Sequence, residues 1–377
     1  HPESGRRRLQ AMVETRPDWC VSRQRAWGVP IAVFARESDG AVLQDPAVYA
    51  RVADAFEAEG GDAWWTGDPA RFLGADHDPA EWLPVRDILD VWFDSGSTHA
   101  FVLEDDPEQI WPASLYLEGS DQHRGWFQSS LLEACGTRGR APYEAVLTHG
   151  FLLGEDGMKM SKSLGNGVEP AEVLKEYGAD IMRLWVVSSD FTEDLQVGPS
   201  ILKQTADSYR RFRNTLRYLL GALDGFTEAE RLSDDAAFPP LERYMRDRLA
   251  RVDEAVRAAY DAYDLHGAFR ALYDFANSDL SSFYFDIRKD SLYCDRPDSV
   301  RRRACRTVME EIFERFVRWL APMLAFTAEE AFLARRDPQA ADPIDAATDQ
   351  SAHLVTLLDT PQAWRDDALA ARWDRAR

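Results

Sequence analysis

The segment YLEGSDQHRGWFQSS (residues 116–130) carries the pattern that decides the fold. A short apolar run leads into four residues with polar or minimal side chains: Glu118, Gly119, Asp121 and Gln122. In open α/β sheets, ligands bind beyond the carboxyl ends of the strands. There a carboxylate can hold an ammonium group or ribose hydroxyls, and a glycine lets a ligand approach the backbone. The segment therefore predicts an α/β fold with a ligand site at a strand end. The alternative, that Asp121 merely caps the next helix, explains one residue of the cluster.

Other segments extend the same pattern over residues 1–195. Three apolar runs predict buried strands: VPIAVFA (29–35), SLYLEG (114–119) and EAVLTHG (144–150). They alternate with helical patterns at 125–135 and 170–187, which is typical of an α/β domain. Residues 41–87, rich in Asp, Ala and Trp, are predicted to form an inserted surface segment.

From about residue 199 the sequence acquires long helical periodicity. One apolar stripe comprises Tyr209, Phe212, Leu216 and Leu219, and a second comprises Ile312, Phe313, Phe316, Val317 and Leu320, with Pro322 two residues on. Further helices are predicted at 241–263 and 266–288. These stripes predict an α-helical bundle over residues 196–335. Residues 336–377 are predicted to form a C-terminal extension.

Composition limits the class of protein and its partners. The chain has 377 residues and a formal net charge of −21, which disfavours non-specific binding of nucleic acid and leaves only local basic faces for RNA. A salt-adapted host would also explain the acidity.

The sequence has no apolar run long enough for a membrane span and no signal-peptide pattern. The four cysteines form no CxxC pair, so we expect reduced thiols in the cytoplasm and no zinc site. The chain does not begin with Met, and we expect it to be part of a longer protein.

Two lysines lie in the glycine-flanked segment MKMSKSLGNG (158–167). Lys159 and Lys162 are compact charges on flexible stems, which suits a polyphosphate, although a solvated surface loop is the simpler alternative. Phosphoryl-type displacements are catalysed largely by positioning and by stabilising developing charge. The sequence contains no GxxxxGK[ST], no HExxH and no Ser-His-Asp order, which argues against P-loop, zinc-hydrolase and triad chemistry.

Two further segments supply candidate site residues. His149 ends the run VLTHG, close in sequence to the lysines, although a lone histidine is more often structural. In LDVWFDSGSTH (89–99), Trp92 and Phe93 are candidates for a pocket wall or for the core, and 94–96 are predicted to form a tight turn.

The sequence resembles a known family. KMSKS (159–163) is the second signature of class I aminoacyl-tRNA synthetases, and residues 116–130 with LTHGF resemble the isoleucyl-tRNA synthetases in particular. The resemblance also covers RPDWCVSRQRAWGVPIAVF (16–34), DVWFDSGSTH (90–99), GADIMRLWVVSSD (178–190), ADSYRRFRNTLRYLL (206–220), SFYFDIRKD (282–290) and VRWLAPMLAFTAEE (317–330). It implies the C-terminal half of a Rossmann-type catalytic domain, followed by a helical anticodon-binding domain.

The resemblance also implies roles for individual residues. Glu118, Gly119, Asp121 and Gln122 would hold the ammonium group and ribose of isoleucyl-adenylate. Trp126 and Trp92 would bound the side-chain pocket, and His149 would lie by the adenosine. The ATP phosphates would meet Lys159, Met160, Ser161, Lys162 and Ser163, with Lys159 and Lys162 catalytic. Mg²⁺ would accompany ATP.

Partners and omissions follow from the same resemblance. The expected partners are L-isoleucine, ATP and tRNA(Ile), with no membrane. Candidate tRNA contacts are Arg210, Arg213, Arg217, Arg301 and Arg302, the last two in the run RRRACR (301–306); a solvated basic face is an equal alternative. No histidine lies in an HxGH arrangement, so we expect a missing N-terminal half carrying the HIGH motif and the editing domain, and no activity from these 377 residues alone. A tRNA-binding module without catalysis and a valine-specific relative remain alternatives.

Overall fold

A computed structural model describes residues 1–160, 167–340, 342 and 349–376. Contacts between Cα atoms divide the chain into two compact units, His1–His149 and Gly150–Arg377. Within the described residues, no helix combines the length and apolar character needed to cross a lipid bilayer.

The first unit mixes short strands with helices. Its strands are β1 (Ser22–Arg23), β2 (Phe34–Arg36), β3 (Trp82–Pro84), β4 (Ile88–Leu89), β5 (Tyr116–Gly119) and β6 (Val146–His149). Its helices are α1 (Glu3–Glu14), α2 (Pro46–Glu59), α3 (Ala63–Thr66), α4 (Pro69–Leu73), α5 (Val91–Gly96) and α6 (Trp126–Arg138). β1 pairs antiparallel with β4 and β2 with β3, whereas β5 and β6 are parallel. The predicted strands at 114–119 and 144–150 are confirmed, while the strand predicted at 29–35 overlaps β2 only at Phe34 and Ala35.

The segment 41–87 packs around a small core that it shares with β2. Phe34, Trp64 and Phe72 are almost completely buried there, with the Trp64 ring centroid 5.0 Å from that of Phe34 and 5.5 Å from that of Phe72. α2 and α4 each begin with a proline after an aspartate whose carboxylate accepts a backbone N–H, which is a strong helix-start signal. β2 precedes the segment and pairs with β3, which lies near the end of the segment.

The second unit begins with a parallel pair and two short helices. β7 (Leu152–Gly154) pairs with β8 (Leu195–Val197), and α7 (Pro170–Tyr177) precedes α8 (Ala179–Val187). The prediction of one helix over 170–187 is wrong. Gly178 adopts φ 84° and ψ 165°, a positive φ that favours glycine, so it ends α7 and separates it from α8.

A helical bundle makes up most of the second unit. It comprises α9 (Pro199–Ala222), α10 (Pro240–Asp261), α11 (Leu265–Asp274), α12 (Phe285–Tyr293), α13 (Val300–Leu320) and α14 (Ala325–Arg336), with a π-helical stretch Phe275–Tyr284 between α11 and α12. Both predicted apolar stripes face one core, in which Phe212 and Phe316 lie 6.1 Å apart between ring centroids. The helix predicted at 266–288 corresponds to α11, the π-helical stretch and the start of α12.

Two sets of polar contacts attach further elements to the bundle. The Asp180 carboxylate on α8 accepts the amides of Phe326 (3.1 Å) and Thr327 (2.7 Å) at the start of α14. The tail, which ends in α15 (Asp367–Asp374), is held by Arg315, which donates to the Asp359 carbonyl at 2.6 Å, and by Arg257, which donates to the Leu358 carbonyl at 2.6 Å.

Candidate active site

The parallel pairing of β5 with β6 brings two predicted site segments together. The register places Glu118 opposite Thr148 and Gly119 opposite His149. A Cβ atom on Gly119 would lie 3.6 Å from the His149 ring, so the two strand ends are close neighbours. Glu118 is exposed, and its carboxylate accepts the Gly119 amide at 3.1 Å. A carboxylate and an imidazole therefore lie at the same edge of the strand pair.

Gln122, and not Asp121, caps the helix that follows. The Gln122 side-chain oxygen accepts the amide of Trp126, the first residue of α6, at 3.1 Å. Asp121 is exposed, and its carboxylate accepts the Gln122 side-chain amide at 3.4 Å. The alternative that Asp121 serves only as a helix cap is wrong, and its carboxylate keeps free lone pairs for a ligand.

Trp126 is fixed on two sides. Its ring stacks on Tyr116 of β5, with centroids 4.1 Å apart and planes 6° from parallel. Its indole N–H donates to the Thr98 hydroxyl at 3.2 Å. A stacked and hydrogen-bonded indole forms a rigid apolar wall.

Phe93 packs against a neighbouring ring, whereas Trp92 lies at the surface of a cavity. Phe93 packs against Trp19 with ring centroids 6.0 Å apart, whereas 43% of Trp92 is exposed. A cavity of about 520 Å³ opens beside Trp92 and is lined also by Arg16, Arg23, Gly125 and Gln128. Residues 94–96 are not a tight turn, because they form the end of α5, which Asp90 caps by accepting the Trp92 amide.

Glu133 on α6 was not predicted from sequence. Its Oε2 lies 2.8 Å from the Ser97 hydroxyl, and its Oε1 is buried with no hydrogen-bond partner among the described residues. Burial, and secondarily the charge of Asp94, raise its pKa to about 7, although the Ser97 hydrogen bond opposes the shift. Gly96 lies against this carboxyl group, and a Cβ atom on the glycine would lie 2.1 Å from Glu133 Oε1. That proximity is visible only in three dimensions.

The lysine segment begins in the second unit as a tight hairpin. The Gly157 amide donates to the Gly154 carbonyl at 2.8 Å, and Lys159 forms a bridge with Leu153. Gly157 has φ 75°, which explains the glycine at this position. Lys159 is exposed, while Met160 packs against the cluster that contains Val173 and Trp185. Ser161, Lys162 and Ser163 lie outside the described residues.

The candidate tRNA-contacting arginines differ in their surroundings. Arg210 pairs with Asp207, Arg213 lies 3.7 Å from Glu330, and Arg301 donates to Asp295 at 2.7 Å. Arg217 is exposed and has no ion pair among the described residues. Arg302 is half-buried, and its Nε finds no partner in that same set.

The rest of the run 301–306 is structural. Arg303 donates to the carbonyls of Glu230 (2.9 Å) and Arg231 (3.0 Å). Arg306 donates to the carbonyls of Ala222 (3.1 Å) and Asp224 (2.5 Å). Both arginines therefore hold the loop after α9 through hydrogen bonds within the protein.

Comparison with family models identifies the class of protein. Residues 1–198 match the model for tRNA synthetases class I (I, L, M and V), and residues 242–373 match the anticodon-binding domain of tRNA ligase. The chain therefore belongs to the class I tRNA synthetases. The predicted order, a Rossmann-type α/β catalytic half followed by an all-α bundle, is confirmed.

Its sequence relatives include several isoleucine–tRNA ligases. The chain is 56% identical to that of Ruegeria pomeroyi over 97% of its length and 56% identical to that of Mesorhizobium japonicum over 100%. It is 55% identical to that of Caulobacter vibrioides over 99%. The chain spans only 37% of the length of each of these relatives.

Solved structures with low sequence identity share the fold. The LeuRS of Agrobacterium radiobacter K84, in a ternary complex with tRNA and LeuAMS, matches 95% of this chain and 45% of its own with a TM-score of 0.67 at 18% identity. The methionyl-tRNA synthetase of Mycobacterium tuberculosis with methionyl-adenylate matches 87% of this chain and 56% of its own with a TM-score of 0.60 at 19% identity.

Proposed function

We propose that the protein to which this chain belongs activates L-isoleucine with ATP and transfers the isoleucyl group to tRNA(Ile). The observation that carries the proposal is the edge shared by β5 and β6, where Glu118, Gly119 and His149 lie together in a chain 55–56% identical to isoleucine–tRNA ligases. In the reaction, a carboxylate oxygen of isoleucine attacks the α-phosphate of ATP, and pyrophosphate leaves. The adenylate then passes its acyl group to the 3′ end of the tRNA.

The strand-end residues would hold the amino acid and the ribose. The exposed Glu118 and Asp121 carboxylates offer acceptors for the ammonium group and the ribose hydroxyls. Gln122 already uses one oxygen lone pair on the Trp126 amide, and its remaining polar positions can reach a ligand. Gly119 lets the ligand approach the strand closely, and His149 lies beside it for the adenosine.

The two tryptophans would bound the isoleucine side chain. Trp126 is a rigid wall, since it stacks on Tyr116 and donates to Thr98. Trp92 is partly exposed beside the cavity at Gly125 and can supply the facing apolar surface. An apolar pocket distinguishes isoleucine from valine by only one methylene, an effect of about 1–3 kcal/mol.

The lysine segment would bind the triphosphate. Lys159 and Lys162 would stabilise the charge that develops on the phosphates, with Ser161 and Ser163 as hydroxyl donors. Met160 would contribute by anchoring the segment, because its side chain packs against the cluster of Val173 and Trp185. The described residues include no group of three or more His, Cys, Asp or Glu side chains placed to hold a metal ion, and we propose that Mg²⁺ enters with the ATP phosphates.

The helical bundle would bind the anticodon side of tRNA(Ile). Arg217 is the strongest candidate contact, because no carboxylate among the described residues neutralises it. Arg210, Arg213 and Arg301 each lie near a carboxylate that would compete with a phosphate for the guanidinium. Arg302 is half-buried and is the weakest of the five.

Amino-acid-dependent ATP–pyrophosphate exchange by the product of the complete reading frame tests the proposal. We expect exchange with isoleucine and far weaker exchange with valine, and an HxGH segment upstream of residue 1. Preference for valine would make the protein a valine-specific relative. Tight tRNA binding without exchange would make it a non-catalytic module. The 377 residues alone are expected to give no exchange.

A further inference from the structure

The two tryptophans of the proposed pocket lie on helices that pack closely together. Trp92 is on α5, and Trp126 is the first residue of α6. Two adjacent residues that follow α5, Ser97 and Thr98, form hydrogen bonds with side chains of α6. Thr98 accepts the Trp126 indole N–H at 3.2 Å, and Ser97 lies 2.8 Å from Glu133. The separation of the two indoles therefore depends on how α5 docks on α6.

The hydrogen bonds at Ser97 indicate where a proton lies. The Ser97 hydroxyl is 3.0 Å from the Phe93 carbonyl and 2.8 Å from Glu133 Oε2, but it has only one hydrogen to donate. If Glu133 carries a proton, its O–H donates to Ser97 and Ser97 donates to Phe93, so both contacts are satisfied. An ionised Glu133 would compete with the Phe93 carbonyl for the same hydrogen.

The surroundings of Glu133 favour the neutral acid. Its Oε1 is buried without a partner among the described residues, which is costly for a charged oxygen. The charged group that faces it from α5 is the Asp94 carboxylate, which repels a second negative charge. Gly96 leaves the space for this carboxyl group, because any Cβ there would overlap it.

We propose that Glu133 is a positioning residue that fixes α5 on α6 and thereby sets the distance between Trp92 and Trp126 available to the amino-acid side chain. The inference rests on the proposed function and adds a determinant of substrate size to it. Glu133 touches no substrate and acts through Ser97 and Gly96. A small shift of α5 would widen the pocket on the scale of one methylene, which is the difference between isoleucine and valine.

The test compares variants of the complete protein in ATP–pyrophosphate exchange at saturating ATP. Glu133→Gln, which keeps a neutral donor, should retain the KM for isoleucine within about twofold. Glu133→Ala and Ser97→Ala should raise that KM about tenfold, reduce the preference over valine and leave the KM for ATP unchanged. A purely structural role would lower the amount of active enzyme without changing the KM for isoleucine or the preference for isoleucine over valine.

Glu104→Ala is the matched control. Glu104 also contacts α6, through Arg138 at 2.8 Å, but it is paired near the far end of that helix from Trp126. The KM of the Glu104→Ala variant for isoleucine should equal that of the wild type. If Glu133→Ala does not fold, Ser97→Ala and Glu133→Gln decide the matter. An unchanged KM in Ser97→Ala, or a Glu133→Gln variant as impaired as the alanine variant, would overturn the inference. A wild-type protein inactive with isoleucine would instead overturn the proposed function.

Discussion

Gly125 lies so close to Trp92 that a Cβ atom on the glycine would come within 2.7 Å of the indole ring. The same Cβ would lie 2.7 Å from the side-chain oxygen of Gln122, which caps α6. The absence of a side chain at Gly125 therefore leaves room for both the Trp92 indole and the Gln122 side chain.

Gly125→Ala should displace both Trp92 and Gln122. We expect the KM for isoleucine to rise at least tenfold, because misplacement of a binding group by about 1 Å can cost two orders of magnitude. Gly136→Ala, later on the same helix, is the control, since a Cβ there meets nothing within 4 Å. Equal KM values for the two variants would show that Trp92 does not bound the pocket.

Lys162→Ala in the complete enzyme should slow adenylate formation and leave tRNA affinity unchanged. Loss of one well-placed charge is expected to cost about 3 kcal/mol of transition-state stabilisation, by analogy with removal of a single oxyanion donor. Single-turnover activation measures the effect directly. An unaltered rate would remove Lys162 from the mechanism.

Glu133 should make stability fall as pH rises toward neutrality. Its folded-state pKa of about 7 exceeds the ordinary 4.5, so between these values the folded protein retains a proton that the unfolded chain has lost. The free energy of unfolding then decreases by roughly 1–3 kcal/mol through this window, after allowance for partial exposure, and is constant above it. Glu133→Gln should lack this component in denaturant titrations at pH 5 and pH 8. A difference between the two proteins that does not vary with pH would refute the shift.

Glu104 provides the opposite sign for comparison. Its hydrogen bond with Arg138 lowers its pKa, so its contribution to stability is present above its unfolded value and is lost as pH falls. Glu104→Gln should therefore differ from the wild type mainly at neutral pH.

Glu242 should be the most costly carboxylate to remove from the bundle. It is fully buried and accepts two hydrogen bonds from Arg288, at 2.6 and 2.7 Å. Glu242→Ala would leave the Arg288 charge without its partner, at a cost of about 3–5 kcal/mol in the free energy of unfolding. Asp286→Ala breaks the exposed pair with Lys289 on the same helix and should leave the denaturation midpoint unchanged. Similar losses in the two variants would contradict this account.

Arg217→Ala should flatten the salt dependence of tRNA binding. Each phosphate contact that is lost reduces the slope of log K against log salt by about 1. Arg243→Ala, an exposed arginine on α10, is the control. If the slope remains unchanged in Arg217→Ala, this part of α9 is a solvated face.

Sequence patterns predicted the features that depend on local periodicity. The apolar run before Glu118 located β5, and the stripe from Tyr209 to Leu219 located the buried face of α9. The break at Gly178 was not predicted, because the hydrophobic pattern continues across a residue whose backbone is not helical.

Features that depend on contacts distant in sequence could not be predicted. Glu133 is one ordinary glutamate on a helix until Gly96 and Ser97 are placed against it. Arg303 and Arg306 look like the other arginines of their run, yet they bind carbonyls more than 70 residues away. Such pairings are decided by tertiary packing.

The arginine contacts of the tail determine where this chain can be divided. Arg315 is 7% exposed and directs its guanidinium to the Asp359 carbonyl and the Thr360 hydroxyl, while Leu369 and Ala370 fill part of the bundle core. A shortened protein ending after α14 would keep its six long helices but would lose two hydrogen-bond partners of Arg315 and expose the apolar surface that Leu369 and Ala370 cover. We therefore expect the last 28 described residues to unfold together with the bundle, and a helical fragment that lacks them to be less stable.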